Sequence, residues 1–84
     1  MTTPAQEKQL VANLSREMLR KLRVNRWKEH WCNLSALEAR DALEEEVAEL
    51  NEAVVNGDPR LIREECADVA NFAAMIADNW GKKP

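Results

Sequence analysis

Seven carboxylates crowd two short stretches, Glu44 to Leu50 (EEEVAEL) and Glu64 to Ala70 (EECADVA). Each stretch contains an acid pair at i,i+3 spacing, Glu46/Glu49 and Glu65/Asp68. On a helix such a pair shares one face, with Cβ atoms about 5–6 Å apart. If two such helices pack together, four carboxylates converge. They cannot all stay ionised in a partly dry site without a cation, because burial and like charge both raise a carboxyl pKa. An all-oxygen ligand set points to a hard ion, Mg²⁺ or Mn²⁺, held at about 2.1 Å with waters completing an octahedron. Zinc and haem have no ligand set here, and the Glu-x-x-His pairs of di-iron bundles are absent.

The elements that must position these acids read as helices. Leu10, Leu14, Met18 and Leu22 recur every fourth residue, which predicts a first helix over about residues 5–31. Ser35 followed by Glu38 is a capping-box signal and opens a second helix, about 36–55, with Leu43, Val47, Leu50 and Val54 as its apolar line. Asn56-Gly57-Asp58-Pro59 ends that helix and starts a third, about 59–79, lined by Ile62, Val69, Phe72 and Ile76; residues 81–84 form a tail. At about 100° per residue, Glu46 falls roughly 60–70° from the centre of the second helix's line, and Glu49 lies on the same flank. Glu65 sits within roughly 30–40° of the middle of its own line, a core position, whereas Glu45 points to nearly the opposite side. Glu44, Glu45 and Glu52 read as a solvated face, and a buried pair between Glu65 and a base on the first helix is the bland alternative to a metal.

Composition agrees with an all-α fold, because Gly (2) and Pro (3) are scarce in 84 residues. One domain of this size has a thin core, so self-association is expected. The third helix is apolar almost all round from Cys66 to Ala77, which three helices alone could not bury; a homodimer or homotetramer completing a four-helix core would do so. The net charge of −3 hides a basic first third and an acidic remainder. The acidic remainder disfavours a nucleic-acid-binding module, although the basic face of the first helix keeps it as a rival. Cys32 and Cys66 read as free thiols; with no signal peptide and no membrane span, the expectation is a cytoplasmic protein.

With Glu45-Glu46-x-x-Glu49 on one helix and Glu65-x-x-Asp68 on the next, the chain resembles the MazG-like all-α nucleoside triphosphate pyrophosphohydrolases. KLRVNRWKEHW, residues 21–31, is similar to the Lys-Leu-x-x-Asn-x-x-Lys-x-x-Trp element those proteins carry ahead of the carboxylates. The resemblance spans about residues 18–80. It implies Mg²⁺ on Glu46, Glu49, Glu65 and Asp68, and cleavage of the α–β phosphoanhydride of a (d)NTP to a monophosphate and pyrophosphate in nucleotide-pool control. It further implies Glu45 as the group that orients or deprotonates the attacking water, and Lys28 as a phosphate contact. Asn25 is then a polar contact to phosphate or sugar, Trp31 a stacking surface for a base, and Asn71 a group that orients a ligand or carboxylate. Trp27 and Trp80 read as packing residues, and Lys82 and Lys83 as groups that could reach a neighbouring subunit's site. Phosphoribosyl-ATP pyrophosphohydrolase is a close alternative through the similar Asn-Gly-Asp turn. The segment DVANFAAM, residues 68–75, in place of that family's Tyr-His pair, ranks it second.

Overall fold

The computed structural model describes residues 1–26, 28 and 30–81. Among the described residues there are three α-helices, α1 (Pro4–Val24), α2 (Ala36–Asn56) and α3 (Pro59–Trp80), with a 3-10 turn, Trp31–Asn33, between the first two. Each long helix starts on a side-chain cap. Thr3 with Gln6 and Ser35 with Glu38 form reciprocal capping boxes, and the Asp58 carboxylate accepts from the N–H groups of Arg60 and Leu61. Pro4 and Pro59 occupy first-turn positions, where no N–H is needed. Gly57 ends α2 at φ +70°, a conformation that costs any residue with a Cβ. Only Gly57 and Asp58 lie between α2 and α3, so the two helices run antiparallel as a tight hairpin.

The first helix is shorter than its periodicity predicts, ending at Val24 and not near residue 31. Asn25 is the reason: its backbone N–H and its side-chain Nδ2 both donate to the Lys21 carbonyl, at 3.1 Å each. That side chain competes with the helical ladder and closes it. Trp27, Lys82 and Lys83 lie outside the described residues.

The central element is α3, which packs on both α2 and α1, while α1 and α2 do not pack on each other. Polar contacts set the α1–α3 register. The Asn71 side-chain amide donates to the Met18 carbonyl at 3.1 Å, Lys21 pairs with Asp68, and Arg20 reaches Glu64. As α1 advances, its partners recede along α3, so these two helices are also antiparallel.

Large side chains are nowhere fully enclosed among the described residues; the buried apolar residues are Ala39, Ala53 and Ala67. The face of α2 that meets α3 runs through Ala39, Ala42, Leu43, Glu46, Leu50 and Ala53, whereas Val47 and Val54 remain 48% and 55% exposed. The helix is therefore rotated from the line Leu43–Val47–Leu50–Val54 inferred from periodicity. The rotation brings Glu46 from the flank to the contact face. Leu10 and Val11 on α1 are exposed at 72% and 66%. The radius of gyration, 14.0 Å, exceeds the ~12 Å of a compact chain of this length, as an incompletely covered core requires. No helix among the described residues is long and apolar enough to cross a membrane.

Candidate metal centre

The α2–α3 hairpin places three carboxylates together. Glu46 and Glu49 come from consecutive turns of α2 and Glu65 from the second turn of α3, and one oxygen of each lies within 4.8 Å of the others. The small residues Ala53 and Ala67, both buried, let the two helices approach closely enough for this. Glu49 is exposed, while Glu46 and Glu65 are half-buried.

This arrangement is electrostatically uncompensated. Burial first, then a carboxylate of Glu49 close enough to share a proton, and then the charge of Asp68 push the Glu46 carboxyl up to about 8. Glu65 is raised for the same leading reasons, burial and Glu49 beside it. Glu46 Oε2 and Glu65 Oε2 are buried with no hydrogen-bond partner. Orphaned buried carboxylate oxygens are costly unless something cationic meets them. Three convergent carboxylates, two of them carrying an unsatisfied buried oxygen, fit a divalent cation of the hard, oxygen-preferring kind, and Glu46, Glu49 and Glu65 would hold it. Next to the cluster a shallow cleft of about 300 Å³ is lined by Glu49, Glu52, Ala53, Asn56, Leu61 and Glu65. None of these six is a lysine or arginine.

The other residues singled out in the sequence lie as follows. Asp68, one turn beyond Glu65, carries its charge to Glu46 and Glu65 but is itself paired with Lys21 at 3.3 Å. Glu45 is exposed on the far side of α2, as the helical arithmetic has it. Asn25 spends its side-chain amide on the α1 terminus, and Asn71 spends its own on the Met18 carbonyl, leaving a buried Oδ1 without a partner. Lys28 is exposed in the connection between α1 and α2. Trp31 is fastened to the distant end of α3: its indole N–H donates to Asp78 at 3.1 Å, its carbonyl accepts from Asn79 at 3.0 Å, and the His30 ring stacks on it at 4.1 Å. Asp78 is thirteen residues beyond Glu65, about 20 Å along the helix.

Sequence reasoning passed over Lys21. Its signal was available, since Lys21 adjoins the stripe of Leu14, Met18 and Leu22 and opens the KLRVNRWKEHW element.

Comparison with known families first gives the class, an all-α MazG-like nucleotide pyrophosphohydrolase, an enzyme that hydrolyses phosphoanhydrides. Within that class the chain belongs to the phosphoribosyl-ATP pyrophosphohydrolase family, whose model matches residues 11–81. The ranking drawn from DVANFAAM is thereby reversed, because the matched range runs through residues 68–75. No curated protein and no solved structure matches the chain.

Proposed function

We propose that this chain releases pyrophosphate by cleaving the α–β phosphoanhydride of an adenine nucleotide triphosphate, with phosphoribosyl-ATP as the leading substrate. The observation that carries the reading is the cluster of Glu46, Glu49 and Glu65, with two buried oxygens unsatisfied, in a chain of this family. The family match favours phosphoribosyl-ATP over a (d)NTP of the nucleotide pool, and the departure at DVANFAAM keeps the (d)NTP reading as second. Both substrates present the same triphosphate to the same acids.

Mg²⁺, or Mn²⁺ in its place, would neutralise phosphate oxygens and acidify the water that attacks in line. The residues supply the rest. Glu46, Glu49 and Glu65 bind the cation, and Asp68 completes the set. Glu45 orients or takes a proton from the attacking water, a role that requires a neighbouring subunit to cover its exposed side. Lys28 and Asn25 contact phosphate or sugar, Trp31 offers the face not covered by His30 to a base held at a neighbouring subunit's acids, since its own lie about 20 Å away along α3, and Asn71 holds the α1–α3 register behind the acids. The lack of cationic groups lining the cleft supports entry of the substrate as its magnesium complex.

A homodimer or homotetramer belongs to the same proposal, because exposed Leu10, Val11, Val47 and Val54 and the alanine-only buried core support a core completed by a second copy.

The test is pyrophosphate release from phosphoribosyl-ATP and a panel of ribo- and deoxynucleoside triphosphates, with and without Mg²⁺. Magnesium-dependent release from phosphoribosyl-ATP above all others is expected. Preference for one (d)NTP moves the reading to the second substrate class, and metal-independent release or silence across the panel overturns it. Binding to nucleic acid with steep salt dependence and no need for metal would instead favour the interaction-module rival.

A further inference from the structure

One positive charge stands against the acidic cluster without a role in the reading above. Lys21 Nζ lies 3.3 Å from Asp68 Oδ2, and only 21% and 18% of the two side chains are exposed. An exposed ion pair contributes little, but one four-fifths withdrawn from water leaves a costly charge if either partner is removed. The Lys21 backbone is fixed as well, its carbonyl accepting from both the N–H and the side-chain amide of Asn25 at the end of α1. Asp68 in turn is near enough for its charge to act on Glu46 and Glu65. An ammonium at the helix end thus holds Asp68, the acid whose charge reaches Glu46 and Glu65 from outside the three-oxygen cluster.

The geometry points to Lys21 as a stand-in cation, which holds Asp68 while no divalent ion is bound and surrenders it when one arrives. This inference rests on the metal-site reading above and adds a positioning residue to it. Its consequence is that Lys21 weakens the resting site, by occupying a ligand and by repelling a dication. Asp68 is then free for the metal only when an incoming dication outcompetes a monovalent ammonium.

The experiment is a Mn²⁺ titration of the chelator-stripped, full-length chain without nucleotide, read by electron paramagnetic resonance of free Mn²⁺. The variants are Lys21→Met, Lys21→Arg, Asp68→Asn and the Lys21→Met/Asp68→Asn double variant, each checked for a cooperative melt. Lys21→Gln replaces Lys21→Met if the latter does not fold. Lys21→Met should bind Mn²⁺ at least about tenfold more tightly, the effect of one charge on a dication even at the dielectric of water and a larger one where water is partly excluded. Lys21→Arg should stay within about threefold of the unmodified chain, and the gain should vanish in the Asp68→Asn background. Unchanged or weaker binding by Lys21→Met overturns the inference, as does a gain that persists without the Asp68 carboxylate, which would be general charge alone. If neither the unmodified chain nor Lys21→Met takes up Mn²⁺, the metal reading itself falls and takes this inference with it. Uptake by the unmodified chain with no response to Lys21 removes only the latter.

Discussion

Burial, Glu49 alongside and the charge of Asp68 push the Glu46 carboxyl up to about 8, so a proton competes with a cation for this group. The folded value exceeds the unfolded value of about 4.5, and the folded state therefore binds more protons. Stability from this group is fully present below pH 4.5 and is lost as pH rises through about 8. Melting in chelator should show Tm falling from pH 5 to pH 9, and Glu46→Gln should flatten that slope. Mg²⁺ or Mn²⁺ should raise Tm most at the alkaline end, because ligand carboxylates must be deprotonated. Glu46→Gln or Glu65→Gln should lower pyrophosphate release at least ~100-fold with the fold retained, since even residues behind a metal ligand cost 10–100-fold. Undiminished turnover would remove the cluster from the site. The grouping of Glu46, Glu49 and Glu65 was legible from i,i+3 spacing on two helices that had to pack. The pairing of Asp68 with Lys21 was not, because periodicity leaves the rotation of α1 against α3 open and a lysine beside an apolar stripe looks like any surface lysine.

At the scale of elements, the hairpin depends on its punctuation. Gly57→Ala forces a Cβ into the left-handed region at φ +70° and should cost about 1–2 kcal/mol. Ser35→Ala removes half of the α2 capping box and should cost about 1 kcal/mol. In a chain this size each kcal/mol lowers Tm by about 4–8 °C, so thermal melts resolve both. These signals are why the limits of α2 and α3 could be read almost to the residue, Ser35-x-x-Glu38 and Asn-Gly-Asp-Pro each admitting one local solution. The end of α1 was misread because the apolar repeat invites continuation. Asn25 stops the helix by a hydrogen bond that the hydrophobic pattern does not encode. The rotation of α2 was hidden for a related reason: Val47 and Val54 look like core by hydropathy, yet the helix turns its alanines to α3 because close approach favours the smallest side chains.

At the scale of the whole molecule, the fully buried apolar residues among those described are alanines alone, and the proposed second copy would add the burial that a chain of this size has little of. Light scattering should give a mass that is a multiple of the 9.6 kDa chain, and Val47→Glu with Val54→Glu should reduce it to one copy with a large fall in Tm. A mass unchanged by those charges would move the interface elsewhere. The arrangement of α3 between two helices that do not pack on each other also bears on biosynthesis. Neither α1 nor α2 has a partner until α3 has been made. At about 5–20 residues per second, synthesis from Asn56 to Trp80 takes about 1–5 s, so α1 and α2 wait at least that long for the surface on which they pack. Tertiary structure is thus gained late, after translation of the carboxylate hairpin. The α2–α3 contacts are local, of the kind that close within microseconds to milliseconds, whereas the α1–α3 contacts bridge 44 to 53 residues and close after them.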